Sequence, residues 1–204
     1  MAFRKYKDIG EVIAAYELMY QENDFIKTEP NVAVPQELAD EIQFVINNFS
    51  YNVSEAAICE MIIFPVIKTV WKEYKQDLML WSHRSIEFSK VLKGIPDYTI
   101  ARQSKRGKVV FELPLLAVVE AKKDDFDGGW AQCALEMFTI QCINKRSDLP
   151  IYGIVTNGDV WSFGMMSGTI FTKDTHSLLL TNLGAICTAL HQILRSCSAN
   201  AQLN

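Results

Sequence analysis

The pattern of apolar and polar positions along the chain begins with helical spacing. Residues 8–21 place apolar side chains at helical intervals with Asp8 as a candidate cap, and residues 36–49 predict a second amphipathic helix. Ser54 opens a third, longer helix, whose first half is apolar on nearly every side and is therefore expected to be buried. Pro65 predicts a kink near the middle of this helix, because proline removes a backbone hydrogen bond.

The spacing then changes to that of strands. The predicted strands are residues 78–88, residues 95–102, a run that ends at Glu120, a hairpin over 151–166 and residues 168–174. Asn157-Gly158 supports the hairpin, because this pair is a preferred two-residue turn. Helical spacing returns over residues 124–146 and 178–196. This order predicts a single α/β domain with a mixed sheet and no internal linker.

Length and charge limit the number of domains and the kinds of partner that can be expected. The chain has 204 residues, 49% of them hydrophobic, which suits one compact domain with a substantial core. Lys and Arg number 20 against 24 Asp and Glu, a net charge of −4. This acidic balance supplies no long-range attraction to nucleic acid, so any such attraction needs a local basic patch.

Targeting signals and cysteines bear on the compartment. The first ten residues lack the apolar stretch of a signal peptide, and the longest apolar segment, residues 56–67, contains a glutamate and a proline and is too short to span a bilayer. The five cysteines are widely spaced, no two of them form a C-x-x-C pair, and the three histidines show no partner pattern. Reduced thiols fit this arrangement better than zinc or disulfides. We therefore predict a cytoplasmic protein with no membrane partner.

Charged residues follow directly from an apolar strand. Glu120 and Lys122 are two positions apart and are expected on one face with Val118 and Leu116, while Ala121 points the other way. Ionised groups at the end of a buried strand are unfavourable unless they are paired or coordinate something. An ion pair alone would satisfy the two, whereas a second carboxylate nearby would indicate a functional site.

Asp97 is the candidate for that second carboxylate. It follows Pro96, which fits only the start or edge of a strand. A tight turn at residues 104–107 would pair Asp97 with residue 114 rather than with Glu120. The two carboxylates meet only if the segment interrupted by Pro114 is partly loop or bulge.

Two carboxylates and a lysine form a recognisable chemical unit. The oxygens of Asp97 and Glu120 would suit Mg²⁺ or Mn²⁺, which keep water ligands and bind phosphates. Such an ion lowers the pKa of a bound water and neutralises charge on phosphorus. Lys122 would orient that water or stabilise the developing charge.

These motifs resemble a known family. "GIPDYTIAR" followed by "LLAVVEAKK" is similar to the PD-(D/E)XK nuclease superfamily, and within it to the nuclease modules of type I restriction subunits and related bacterial, especially cyanobacterial, proteins. "SEAAICEMIIFPVI", "GWAQCALEM" and "IYGIVTNGDVWSF" resemble the first core helix, the helix after the catalytic strand and the following hairpin of that group. The resemblance covers roughly residues 54–165.

The resemblance implies a fold and a set of roles. The fold would be restriction-endonuclease-like, a central mixed sheet flanked by helices over residues 51–204, with residues 1–50 as a helical extension packed on it. The implied metal ligands are Asp97, Glu120 and the carbonyl of Ala121; Lys122 would be catalytic, and Glu55 and Gln132 accessory. The chain departs from the pattern in its long basic connection before Glu120 and in Glu136, which stands where some members have tyrosine.

Other residues have both a functional and a structural interpretation. A basic loop can hold the nucleic-acid backbone or be an exposed, lysine-rich turn; its residues are Arg102, Lys105, Arg106 and Lys108. Lys123 is within reach of a phosphate or faces solvent. Glu55 is either an accessory group or a first-turn residue favoured by the helix dipole, and Gln132 is either accessory or bonded to Glu136.

The function expected from this combination is a Mg²⁺- or Mn²⁺-dependent nuclease that hydrolyses phosphodiester bonds, with DNA as the expected substrate. The alternative is a catalytically degenerate protein of the same fold that binds nucleic acid or acts as a protein-interaction subunit. A homodimer or a restriction-type partner subunit is compatible with either function, with residues 8–48 as the contact surface.

Overall fold

The computed structural model of the protein describes residues 5–203, and a seven-stranded sheet runs through its centre. The strands are β1 Met19–Asn23, β2 Leu78–Ser82, β3 Ile86–Glu87, β4 Lys93–Gly94, β5 Tyr98–Arg102, β6 Glu112–Ala121, β7 Ile151–Thr156, β8 Val160–Ser167 and β9 Ile170–Leu179. The helices are α1 Ile9–Ala15, α2 Gln36–Asn48, α3 Glu55–Ile58, α4 Phe64–Trp71, α5 Phe126–Asn144 and α6 Leu183–Gln202.

The sheet is mixed, as the sequence predicts. Its order is β1-β9-β8-β7-β6-β5-β2, and β3 and β4 form a separate small hairpin. The pairs β6–β7 and β1–β9 are parallel, and the other neighbours are antiparallel. The α/β class is therefore confirmed, with helices on both faces of the sheet.

Each face of the sheet carries its own hydrophobic core. The first core packs α2, α3, α4 and α6 against strand residues such as Ile100, Val119 and Phe163. The second packs α1, α5 and the β3–β4 hairpin against residues such as Val118 and Val155. Within residues 5–203, no helix combines the length and the apolar character that crossing a membrane requires.

The first helix is shorter than its spacing predicts. It begins after Asp8, whose side chain accepts a hydrogen bond from the amide of Glu11, and it ends at Ala15. Glu17 then adopts a left-handed conformation, with φ of 51°. The following residues form β1, parallel to β9, so the prediction of helix up to residue 21 is wrong. Pairing with another strand outweighs a local helical pattern here, and the N-terminal segment contributes an edge strand as well as helices.

The predicted interruption of the third helix takes the form of a π-helical turn. Residues Cys59–Ile63 are π-helical between α3 and α4, and Pro65 lies in the first turn of α4. A proline in the first turn of a helix does not lose a hydrogen bond that the helix would otherwise make. The helical path therefore continues from Glu55 to Trp71.

Irregular pairing between β5 and β6 decides where the two strands' ends meet. Ile100 pairs with Ala117, Ala101 with Leu115 and Arg102 with Glu112, so β6 contains three extra residues. Pro114 has no N–H and cannot take part in regular pairing. At this bulge the Asn144 side chain bonds the backbone of Leu115 twice, accepting from its N–H at 2.9 Å and donating to its carbonyl at 2.7 Å.

The bulge also changes which side chains share a face. Val118 lies in the core under α5, as expected for the face of Glu120. Leu116 lies in the opposite core, so the prediction that it shares the face of Glu120 and Lys122 is wrong. An extra residue resets the alternation of a strand, and the apolar run alone does not reveal where it falls.

Candidate active site

Asp97 and Glu120 lie next to each other at one end of the sheet. Tyr98 pairs with Val119, and one step further along this antiparallel register Asp97 stands opposite Glu120. The Asp97 Oδ2 atom accepts a hydrogen bond of 2.7 Å from the amide of Ala121. The condition set by the sequence, a loop or bulge around Pro114, is met, and the two carboxylates come together.

Lys122 joins these carboxylates to helix α5. Its Nζ lies 2.6 Å from Glu120 Oε1 and 3.8 Å from Glu55 Oε1, and it donates to Gln132 Oε1 at 3.3 Å. The Gln132 amide in turn donates to Glu136 Oε1 at 3.3 Å. The structure therefore brings Glu55, Glu120, Lys122 and Gln132 into one polar network, with Glu136 at its inner end.

A glycine near the start of α5 allows the helix to approach Lys122 closely. A Cβ added to Gly129 would lie 2.7 Å from Lys122 Cγ and 2.9 Å from Val155 Cγ1. Asp125 caps the helix by accepting from the amide of Gly128 at 2.9 Å. The cap and the close approach fix Gln132, one turn further along, over the lysine.

Burial governs the charges of these groups. Burial, and after it the charge of Asp97, raise the pKa of Glu120 to about 8, although the ammonium of Lys122 acts to lower it. Burial also raises the pKa of Asp97, against the hydrogen bond from Ala121. For Lys122 burial acts to lower the pKa, but Glu120, Glu55 and Asp97 together raise it, so the amine is an ammonium at neutral pH. The site is thus rich in carboxyl groups with too little positive charge.

A divalent cation would supply that charge. The Oε2 atom of Glu120 is buried and has no hydrogen-bond partner within the described chain, which is an unfavourable state for a carboxylate oxygen. It belongs to the residue that faces Asp97, and Mg²⁺ is held in proteins by one or two carboxylates together with water and phosphate. The donor set of Asp97 and Glu120 therefore fits Mg²⁺ or Mn²⁺.

His83 adjoins this site, although no sequence pattern identifies it. Its Nε2 lies 3.4 Å from Asp97 Oδ1, and its amide donates to the carbonyl of Asp97 at 2.9 Å. Its φ of 50° is uncommon for a residue other than glycine. Residues held in this region cluster at functional sites. Only the pairing of β2 with β5 brings residue 83 beside residue 97.

The basic loop lies away from the carboxylates. Asp97 precedes β5 and Arg102 ends it, a separation of roughly 16 Å along an extended strand. The Arg102 Nε donates to the carbonyl of Ala201 at 2.7 Å, and Arg106 pairs with Glu112 at 2.9 Å. The loop's two lysines, Lys105 and Lys108, are exposed. Nucleic-acid binding by this loop stays a prediction, and the structure does not bring it to the site.

Lys123 is exposed beside the site, next to the acidic residues Asp124 and Asp125. It therefore points away from the buried network that holds Lys122.

A different acidic cluster lies near the opposite edge of the sheet. Within residues 5–203, only one set of three His, Cys, Asp or Glu side chains has its ligand atoms within 4.8 Å of one another. Its members are Asp24, Asp174 and His176. Asp174 accepts from the backbone amides of Phe25, Ile26 and His176, so its buried carboxylate is already satisfied. This cluster has a structural explanation.

Comparison with known proteins adds no family to these observations. No protein-family model matches the sequence, and a search of curated proteins finds no match. The geometry of the site therefore carries the functional argument.

Proposed function

We propose that this protein is a Mg²⁺- or Mn²⁺-dependent nuclease that hydrolyses phosphodiester bonds in nucleic acid, with DNA as its substrate. One observation carries the proposal: Asp97 and Glu120 face each other where their strands meet, beside a buried ammonium and with a buried carboxylate oxygen that has no partner in the described chain. The resemblance of the surrounding motifs to the PD-(D/E)XK superfamily supports it. A purely structural ion pair would need neither the second carboxylate nor the unpartnered oxygen.

Each residue of the candidate site would have its own role. Asp97 and Glu120 would hold the cation, which when bound lowers the pKa of a water and offsets charge on the phosphate. Lys122, kept charged by its carboxylate neighbours, would hold the attacking water or the developing negative charge. Gln132 accepts from Lys122 and so limits the positions of its ammonium. Glu55, half-exposed and 3.8 Å from the ammonium, would face the substrate side of the site.

A catalytically degenerate binding protein is the rival function. The 2.6 Å pair between Lys122 and Glu120 favours it, because each group partly satisfies the other without any ligand. This rival predicts nucleic-acid binding without turnover, and tolerance of changes at Lys122.

Cleavage of single-stranded DNA, duplex DNA and RNA with Mg²⁺ or Mn²⁺ would test the proposal. Asp97→Asn keeps an acceptor for the Ala121 amide but removes the charge, and we expect it to lower cleavage at least about 100-fold, the scale of losing one electrostatic contact in a catalytic site. Lys122→Met should do the same. Glu41→Gln, on the exposed side of α2, serves as the control and should cleave like wild type. Equal cleavage by all variants would assign the activity to a contaminant, and binding without cleavage would favour the rival.

A further inference from the structure

A cleft of about 400 Å³ opens beside the candidate active site. The π-helical turn and the start of α4 form one side of it, and the ends of β2 and β5 form the other. Its lining includes Ala56, Glu60, Phe64, Ser82, His83 and Tyr98.

The cleft shares its boundary with the candidate active site at two points. Ala56 directly follows Glu55, whose carboxylate lies 3.8 Å from the ammonium of Lys122. His83 lies 3.4 Å from Asp97. A group in the cleft would therefore be a direct neighbour of a phosphate held at the carboxylates.

Two aromatic rings, one from each side, line the cleft. Phe64 and Tyr98 are stacked, with ring centroids 6.0 Å apart and an interplanar angle of 16°. The Tyr98 hydroxyl is tied to the carbonyl of Cys59 at 3.2 Å, and the His83 ring packs edge-on against Tyr98. Single π-helical turns are frequent at functional sites, and here the turn supplies both Cys59 and the acidic residue Glu60.

Size and charge point to one kind of occupant. The volume suits one small molecule or one nucleotide, and a duplex does not fit into it. Glu60 is an exposed carboxylate that would repel a phosphate but accept a hydrogen bond from the amino group of a base. The ammonium of Lys68, 5.2 Å from the Phe64 ring centre, places a cation nearby for the backbone.

We propose that this cleft binds a single unpaired nucleobase next to the phosphate that is cut, so that the substrate is a single strand or a strand with a base turned out of the helix. This inference rests on the proposed function and names its substrate class. Unstacked bases are bound by aromatic side chains in many nucleic-acid-binding proteins, and a carboxylate selects bases that carry an amino group. Cytosine is therefore expected to bind better than thymine.

Fluorescence anisotropy would test the inference. The labelled ligands are 12-nucleotide oligo-dC, 12-nucleotide oligo-dT and a 12-base-pair duplex, and Ca²⁺ replaces Mg²⁺ in the binding buffer. Wild type should bind oligo-dC more tightly than oligo-dT and the duplex most weakly. Phe64→Leu should weaken oligo-dC binding between about 5-fold and 100-fold, the scale of losing one base stack. Phe44→Leu changes an exposed phenylalanine of α2 outside the cleft and is the matched control.

Glu60→Gln gives a second, independent readout, because this exposed side chain can change without disturbing the core. It should remove the preference for cytosine while the melting temperature stays that of wild type. Equal binding of duplex and single strands, or wild-type binding by both cleft variants, would overturn the inference even if the protein cleaves DNA. Absence of cleavage with the predicted binding pattern would instead overturn the proposed function and leave the cleft assignment standing.

Discussion

Glu136 is a fully buried ionisable group next to the site, and replacing it tests the electrostatic description without any activity assay. Its side chain has no exposed surface, and within the described chain its Oε2 atom has no hydrogen-bond partner. Burial raises its pKa well above the usual value for glutamate, and the negative charge of Glu120 raises it further. The folded protein therefore keeps the proton of this residue to a higher pH than the unfolded chain does.

A raised pKa makes stability depend on pH with a definite sign. Above about pH 4.3 the unfolded chain loses the Glu136 proton while the folded chain retains it. The free energy of unfolding then falls as pH rises toward the folded-state pKa, by about 1.4 kcal/mol per pH unit for this one group. Glu136→Gln cannot titrate and removes this contribution. Glu120, whose pKa is also raised, keeps its own contribution in the variant.

Urea denaturation of wild type and Glu136→Gln at pH 5, 6, 7 and 8 measures the difference. We expect the stability of the variant to fall less steeply with pH than that of wild type, by up to about 1.4 kcal/mol per unit over the range in which folded Glu136 keeps a proton that the unfolded chain has lost. Glu41→Gln, an exposed replacement of the same chemistry, should run parallel to wild type. Parallel curves for wild type and Glu136→Gln would refute the raised pKa of Glu136.

Two further replacements test how the site is positioned. Gly129→Ala would place a methyl group 2.7 Å from Lys122 Cγ, so we expect it to displace the lysine. The melting temperature should fall, and cleavage should fall at least about 10-fold. Normal cleavage by a stable variant would show that α5 can move aside freely. Asn144→Ala would leave the N–H and the carbonyl of Leu115 unsatisfied at the bulge. It should lower the free energy of unfolding, measured by urea titration, by about 2 kcal/mol. A change below about 0.5 kcal/mol would mean that water replaces the Asn144 amide there.

Features set by local chemistry are well predicted from the sequence. The α2 helix, α5 and the β7–β8 hairpin lie where the spacing and the Asn157-Gly158 turn place them. The charges that follow the apolar run of β6 have partners, as expected: Lys122 lies 2.6 Å from Glu120 Oε1. Burying ionised groups without a partner is too unfavourable to occur. These signals are contained within each segment, and no information about the rest of the fold is needed to interpret them.

Features set by pairing between distant segments are not predicted. The strand β1 has helical spacing and becomes a strand only because β9 offers it an edge. His83 reaches Asp97 only through the pairing of β2 with β5. The basic loop looks like part of the site from its proximity in sequence, yet β5 carries it to the other end of the strand. In each case the partner lies outside the segment whose pattern was interpreted.

The meeting of the two carboxylates depends on an irregularity rather than on regular structure. If the pairing of Arg102 with Glu112 continued without interruption, Asp97 would stand opposite Ala117, roughly 10 Å along the strand from Glu120. Three extra residues in β6 remove this offset, and because the number is odd they also exchange the faces of the strand. Asn144, the last residue of α5, accepts a hydrogen bond from the amide of Leu115 at the bulge. Near the start of the same helix, Gly129 packs on Lys122. One helix therefore fixes both the register that joins the carboxylates and the position of the lysine beside them.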